Sequence, residues 1–307
     1  MTDNRLGTLE KKIGVKQAYL LLAATIFLWA LGVVTARAVH KEIPLIGLSF
    51  WRWVGALIIL FPFVQKELRE NFSVVRHNLK ILSLQGILIV GSGTLLFYAL
   101  NYTTAINATL VNATQPVITA FLAWLLLREG LTGIQMLGVL SAVLGVTIMV
   151  TQADWYVMTH FAFNAGDLLV TLAITGYALY AVNLRHLPHS LGPFSILFVI
   201  LFAGTVFLLP FYIAETLYVK PVPLTFKTAG IVFVLAVFVS ILSMGMWNIA
   251  NRIVGPGRAA VFVNLMPVYG SLLATTFLGE KLYRYHMFGA IFVCAGIFMV
   301  VGHHRSQ

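Results

Sequence analysis

Asn112 and Gln115 stand three residues apart in a run without charge from Ala105 to Leu127, and Thr119 follows. On one continuous helix these positions share a face. An amide carries donors and acceptors at once, and leaving it without a partner in an apolar medium is costly. That face therefore calls for a neighbouring helix or a polar solute. A related group returns at Asn264, with Pro267, Tyr269 and Ser271 behind it, as Pro116 lies behind Asn112. Other apolar runs carry stripes of the same kind. Thr94 and Tyr98 align with Gly91 and Asn101, and Ser243 and Trp247 align with Ser240 and Asn251. Trp29 follows Thr25, Tyr177 and Tyr180 follow Thr175, and Asn248 lies nearer a helix end.

The chemistry open to these groups is recognition. Amides and hydroxyls can bond the ammonium and carboxylate of a small zwitterion while aromatic rings pack its side chain. An ammonium over Trp or Tyr adds a cation–π attraction of order 1 kcal/mol. The competing role is structural. Ser, Thr and Asn in membrane helices bond neighbouring helices, at about 0.6–2 kcal/mol each. Aromatic residues pack or form an interfacial belt, the role expected of Trp51 and Trp53 near a helix start.

Catalysis is not indicated. No acid–base dyad or metal-ligand cluster falls at membrane depth, and no GxxxxGK loop occurs for ATP. No metal and no cofactor is expected. The single cysteine, Cys294, is read as a small buried residue. Three Asn-x-Thr sequons begin at Asn101, Asn107 and Asn112, but they lie at or inside apolar runs where sugar transfer has no access. All ten acidic residues fall in tails, loops or helix ends. Proton- and sodium-coupled carriers commonly bury a carboxylate near the midplane, so a neutral, zwitterionic or weakly anionic substrate is expected. Arg52 is the one basic residue well inside a predicted helix. It is expected to snorkel to the outer interface, the other reading being a bond to a substrate carboxylate. Glu129 and Glu280 follow equivalent helices and are expected to cap a helix or to pair with Arg128 or Lys281.

The elements that position these residues follow from composition. The 307 residues are 60% hydrophobic and 10% charged, with mean hydropathy +0.92. A soluble domain carries about 25% charged residues, so most of this chain is solvated by lipid. A span takes roughly 20 apolar residues. About ten such runs occur, continuously apolar and without the period-two alternation of barrel strands. The first, from Ala18 to Val39, is long enough to span and is read as a retained helix, not a signal peptide. The net charge of +10 does not point to nucleic acid. Alternate loops differ in Lys and Arg by about two to one, which places both termini in the cytoplasm and the basic loops against anionic lipid.

The chain also contains itself. At an offset of 151, Ala108 meets Ala259, Pro116 meets Pro267, Glu129 meets Glu280, Gly138 meets Gly289 and Gly145 meets Gly296. Earlier the offset is 148, pairing Trp29 with Tyr177, Arg37 with Arg185 and Pro62 with Pro210. In the third helix an offset of 149 pairs Thr94 with Ser243 and Tyr98 with Trp247, and 151 pairs Ala99 with Ala250. A repeat of five helices is odd, so the second copy starts on the opposite side and the halves are inverted. Secondary transporters recurrently use this plan, with the substrate near mid-membrane between the repeats. The expected architecture is all-α and polytopic: ten transmembrane helices as two inverted five-helix repeats around a central cavity. The expected segments are a tail over 1–16, repeats over 17–151 and 166–302, an external linker over 152–165 and a tail over 303–307. Pro116 and Pro267 are expected mid-helix, as static kinks or as hinges.

The series Ala108, Asn112, Gln115-Pro116-Val117, Ala120, Leu127 and Glu129, then Gln135, Gly138 and Gly145, resembles the EamA-domain signature of the drug/metabolite transporter superfamily. "LWALGVV" from Leu28 and the Pro44, Arg52-Trp53, Ala56 pattern resemble the start of that domain. The second half departs from the pattern, with no arginine equivalent to Arg52 and with Tyr269 after Val268. The resemblance covers essentially the whole chain and implies a ten-helix metabolite exporter of the bacterial inner membrane. The Asn- and aromatic-bearing helices look most like those of YddG-type amino-acid exporters. The function expected is export of amino acids, aromatic or neutral, by alternating access without ATP. Other metabolites or lipophilic drugs are the alternative cargo. A channel and an intramembrane enzyme are the alternatives of other kinds.

Overall fold

Backbone groups in hydrocarbon find no water, so each span must bond within itself as a helix. In the computed structural model, residues 13–128, 132–154, 164–188, 190–254, 259 and 262–302 are described, and every regular element among them is helical. The helices are α1 (Val15–Val39), α2 (Leu45–Glu70), the short α3 (Phe72–His77), α4 (Leu79–Ala99), α5 (Ala105–Asn112), α6 (Gln115–Leu127) and α7 (Gly133–Val150). They continue as α8 (Ala165–Asn183), α9 (Pro193–Tyr218), α10 (Phe226–Val234), α11 (Ser243–Val254), α12 (Met266–Leu278) and α13 (Arg284–Gly302). A π-helical stretch, Leu235–Leu242, joins α10 to α11.

The boundaries follow from local chemistry. Pro44 precedes α2 and Pro193 opens α9, where a missing N–H is harmless. The Thr104 hydroxyl accepts from the Asn107 N–H at 3.1 Å, and the Asn164 amide oxygen accepts from the Gly166 N–H at 2.7 Å. Helix α12 stops at Gly279, whose φ of 65° suits a residue without Cβ.

Among the described residues six helices are long and apolar enough to cross a membrane, or seven if α5 and α6, bent by 41° at their break, count as one span. The shorter apolar helices α7 and α12 and the 19-residue α13 complete the bundle. Large apolar side chains such as Leu20, Phe63 and Leu172 face outward, as lipid contact requires. Leu22, Ile26, Leu48, Leu100, Ile106 and Ile174 are fully buried between helices.

Equivalent helices run antiparallel. A Cβ on Gly145 would lie 2.6 Å from the Gly289 carbonyl, and one on Gly296 would lie 2.5 Å from the Gly138 carbonyl. Exchanging the halves at the offset of 151 turns the first contact into the second, as a two-fold axis between α7 and α13 demands. Helices α2 and α9 likewise pack directly and run in opposite senses, since Gly47 at the start of α2 meets Glu215 near the end of α9, and Gly192 ahead of α9 meets Glu67 near the end of α2. In the inter-half pairings, α1 meets α11 where α8 meets α4, and α1 meets α12 where α8 meets α6. These are the inverted five-helix halves expected from the offsets. A π turn takes up an extra residue without ending a helix, which matches the offset growing from 148 to 149 at Ser243.

Three expectations need correction. The apolar run from Ala105 is broken at Ala113 and Thr114, so Asn112 ends one half-helix and Gln115 begins the next. The three residues read as one face are therefore divided by a turn. Pro116 and Pro267 are not mid-helix: each is the second residue of its half-helix, where it has no intrahelical bond to lose. Cys294 is exposed instead of buried; the close contacts of α13 are made by Gly289, Val293 and Gly296.

Candidate functional site

Trp29 and Trp247 bring the first and eighth spans together. Their rings lie 5.3 Å apart, and the Trp29 indole N–H donates to Ser243 Oγ at 2.9 Å. The Ser243 hydroxyl in turn bonds the Val239 carbonyl at 2.6 Å, inside the π stretch. Thr25 Oγ1 reaches the Ser243 carbonyl at 3.3 Å. Gly32 lies against Val239, with room for no Cβ: one would come within 2.7 Å of that side chain. The pair therefore sits on a close helix crossing, with Ser243 holding the indole plane.

Thr94 and Tyr177 belong to a second group. Thr94 Oγ1 lies 2.9 Å from Ser49 Oγ and bonds the Val90 carbonyl at 2.8 Å. A methyl built on Gly93 would lie 3.0 Å from the Tyr177 hydroxyl, 3.3 Å from Arg52 Nη2 and 3.4 Å from the Trp53 ring. Arg52 is 4% exposed and Trp53 3%, so neither does what was expected of it. Arg52 turns into the bundle instead of snorkelling, its guanidinium 4.1 Å from the Trp53 ring centre and 4.4 Å from that of Phe97. Trp51 does lie at the surface, its indole N–H donating to the Tyr212 hydroxyl at 3.2 Å.

The remaining candidates are dispersed. Tyr98 bonds the Tyr102 hydroxyl at 3.0 Å. Tyr180 packs in the cluster around Trp53, and its carbonyl accepts from Gln85 at 3.2 Å. Tyr269 stacks edge-on against Phe27 with ring centres 5.6 Å apart. Asn112 is buried, Gln115 and Asn248 are half-buried, and the buried Oδ1 of Asn264 has no partner. Pro116 and Pro267 occupy equivalent starts of α6 and α12.

Polar links not foreseen from sequence join the helix ends. Glu215 accepts from the N–H groups of Ile46 and Gly47 at 3.2 and 2.6 Å. Glu67 accepts from the Gly192 N–H and the Ser195 hydroxyl, both at 2.5 Å. Glu280 caps as expected, but caps the other half: it accepts from Ala105 and Ile106 N–H at 2.9 and 3.0 Å. Its cation is Arg37, at 3.6 Å, not Lys281. Glu129 lies outside the described residues. Asp167, though at a helix end, is fully buried and is bonded by Thr103 and Asn107, and Asn107 Oδ1 lies 2.6 Å from His286 Nε2. Their sequence signal was the offset of 148 between Glu67 and Glu215; Asp167 and His286 carried none.

Among the described residues no three His, Cys, Asp or Glu side chains are grouped to hold a metal. Across the chain, the model described as the EamA-like transporter family matches residues 16–151 and 164–302. The uncharacterized transporter YyaM of Bacillus subtilis is 26% identical over 256 residues, 82% of this chain and 83% of that one. A protein of Salmonella typhimurium described as a "Probable amino-acid metabolite efflux pump" is 24% identical over 300 residues, 93% of this chain and 95% of that one. A crystal structure of a protein with no stated activity shares the fold, with TM-score 0.61 at 16% identity over 95% of this chain and 99% of that one.

Proposed function

This chain belongs to the EamA-like transporter family, and from that premise we propose that it exports small metabolites, foremost aromatic or neutral amino acids, by alternating access, without ATP. It is a multi-pass membrane transporter; the cargo and the cycle are the proposal. The observation that carries it is the Trp29–Trp247 pair, held by Ser243 where the two halves meet. Aromatic faces beside hydroxyls and amides suit a zwitterion with an apolar side chain. A relative described as an amino-acid metabolite efflux pump supports the cargo class.

In the proposed cycle the halves, 17–151 and 166–302, rock about the axis between α7 and α13. The half-helices α6 and α12 swing on the turns ahead of Pro116 and Pro267. Substrate binds beside Trp29, Trp247 and Ser243, with Thr94 and Tyr177 of the second group within the same bundle. Both termini lie in the cytoplasm of a bacterial cell with the bundle in its inner membrane, which the excess of Lys and Arg in alternate loops supports.

The test is counterflow. Purified full-length protein in liposomes loaded with unlabelled amino acid should accumulate labelled amino acid transiently, with saturation and without ATP. Absence of uptake across the common amino acids would overturn the cargo. Flux that never saturates and shows no counterflow would make the protein a channel.

A further inference from the structure

A guanidinium in the interior of a membrane protein is costly to desolvate, and it persists where a counter-charge or hydrogen-bond acceptors meet it. Arg52 meets neither. Its Nε and Nη2 are buried without a hydrogen-bond partner. The ion pairs among the described residues involve Arg37, Lys66 and Lys227, not Arg52. Two aromatic faces, Trp53 and Phe97, flank the cation and supply a cation–π attraction. They supply no acceptor.

A second set of observations points to the same place. The Trp53 indole N–H is also buried and unpartnered. The Tyr177 hydroxyl and Arg52 Nη2 both approach the bare Cα of Gly93, where a methyl would touch each of them. Donors from the second and sixth spans thus converge beside a glycine of the third, with no carboxylate among the groups that meet there. What this cluster of donors lacks is an anion with two oxygens, the geometry a guanidinium binds in a fork.

We propose that Arg52, with Trp53 and Tyr177 over Gly93, binds the carboxylate of the transported solute. The inference rests on the transporter reading above and deepens it by naming the group that holds the charged end of the cargo. It also answers why the second half has no arginine at the equivalent place. One carboxylate needs one fork, and a symmetric second one would leave a buried charge unpaired.

Binding and transport are measured separately. Purified full-length protein is titrated with phenylalanine, phenylalaninamide, sodium chloride and inorganic phosphate, with tryptophan fluorescence as the readout. The same preparations are then tested for counterflow. The wild type should bind phenylalanine at least about tenfold more tightly than the amide, the ratio that a lost charge-assisted bond produces. Arg52→Gln should abolish that preference, and Arg52→Lys should retain part of it. Gly93→Ala presses on the Tyr177 hydroxyl and Arg52 while keeping the cation, so it should weaken phenylalanine binding. Acid-over-amide preference that survives in Arg52→Gln overturns the assignment, as does an equal response of wild type to both ligands. Phosphate or chloride competing at the affinity of phenylalanine would assign the Arg52 donors to a free inorganic anion and overturn it too. Arg52-dependent carboxylate binding without any counterflow would uphold the site and reject the transport reading.

Discussion

Glu67 and Glu215 lie 148 residues apart in the chain, and each accepts hydrogen bonds at the start of the helix that carries the other. Helix starts expose N–H groups and a partial positive charge that a carboxylate neutralises. Here both carboxylates come from the opposite half, so the caps tie the repeats together across both ends of α2 and α9. The small residues at the caps serve this contact. A Cβ on Gly192 would lie 2.9 Å from Glu67 Oε2, and one on Gly47 would lie 3.4 Å from Glu215 Oε2.

Removing one of these caps should loosen the bundle without disturbing the aromatic pair. Glu215→Ala strands two N–H groups and is expected to cost about 1–2 kcal/mol. Thermal unfolding in detergent should show a lower midpoint for Glu215→Ala and for Glu67→Ala. An unchanged midpoint in either variant would show that the carboxylate is idle.

The link made by Arg37 and Glu280 closes the end of the bundle where α5 begins. Arg37 Nη1 donates to the Leu100 carbonyl at 2.5 Å while its Nε faces Glu280. Glu280→Ala should open this end. With cysteine placed at the buried Ala108 and Cys294 replaced by serine, labelling by an impermeant maleimide is expected to rise about fivefold, the effect of 1 kcal/mol on an equilibrium. Equal labelling in both backgrounds would remove the pair from the closure.

His40 makes the same end sensitive to acid. Its Nδ1 lies 2.6 Å from the Arg37 carbonyl and its Nε2 3.3 Å from Arg37 Nη1, an arrangement that suits the neutral ring. Burial holds its pKa below the ordinary 6.5; the Arg37 carbonyl and Glu280 raise it, and the charges of Arg37 and Lys41 lower it further. With the folded value depressed, the unfolded chain binds more protons, so stability rises with pH. The contribution is complete above 6.5 and is lost as pH falls below that value toward the folded pKa. Thermal midpoints of wild type and His40→Gln, compared between about pH 8 and pH 5, should diverge on acidification, with the wild type losing more.

Trp29 offers a direct test of the aromatic pair. Trp29→Ala should raise the half-saturating concentration for amino-acid counterflow by about two- to tenfold, the range of an aromatic contact. Trp29→Phe keeps a ring but loses the bond to Ser243 and should fall between. Wild-type kinetics in the alanine variant would take Trp29 out of the site.

How much of this could be read beforehand depended on the kind of signal. Glycines at a fixed offset identified the axis, because Gly138, Gly145, Gly289 and Gly296 mark backbones that touch. Continuous apolar runs identified helices, because lipid leaves the backbone no other partner. Trp29 and Ser243 stand out in the sequence as polar groups in apolar runs, but their pairing beside a π stretch is not revealed by apolar composition. Arg52 was misplaced because a long side chain can reach water in either direction, and only the packing of Trp53 and Phe97 decides which. The break at Ala113 and Thr114 was hidden for a related reason: small residues fit a helix and a turn equally well.

That break makes the proline question testable. Pro116 sits where a helix residue has no intrahelical acceptor, so its missing N–H costs nothing in this conformation. Alanine there gains an N–H that can bond the Asn112 carbonyl, which would join α5 to α6 and straighten their 41° bend. The same holds at Pro267, where a 3-10 turn, Val263–Leu265, precedes α12. If the turns are hinges, Pro116→Ala with Pro267→Ala should slow counterflow while the thermal midpoint stays constant or rises, since removing proline from a first turn costs at most about 0.5 kcal/mol. A lower midpoint with unchanged flux would mean that the prolines hold a fixed bend. Wild-type flux and midpoint together would leave them no part in either.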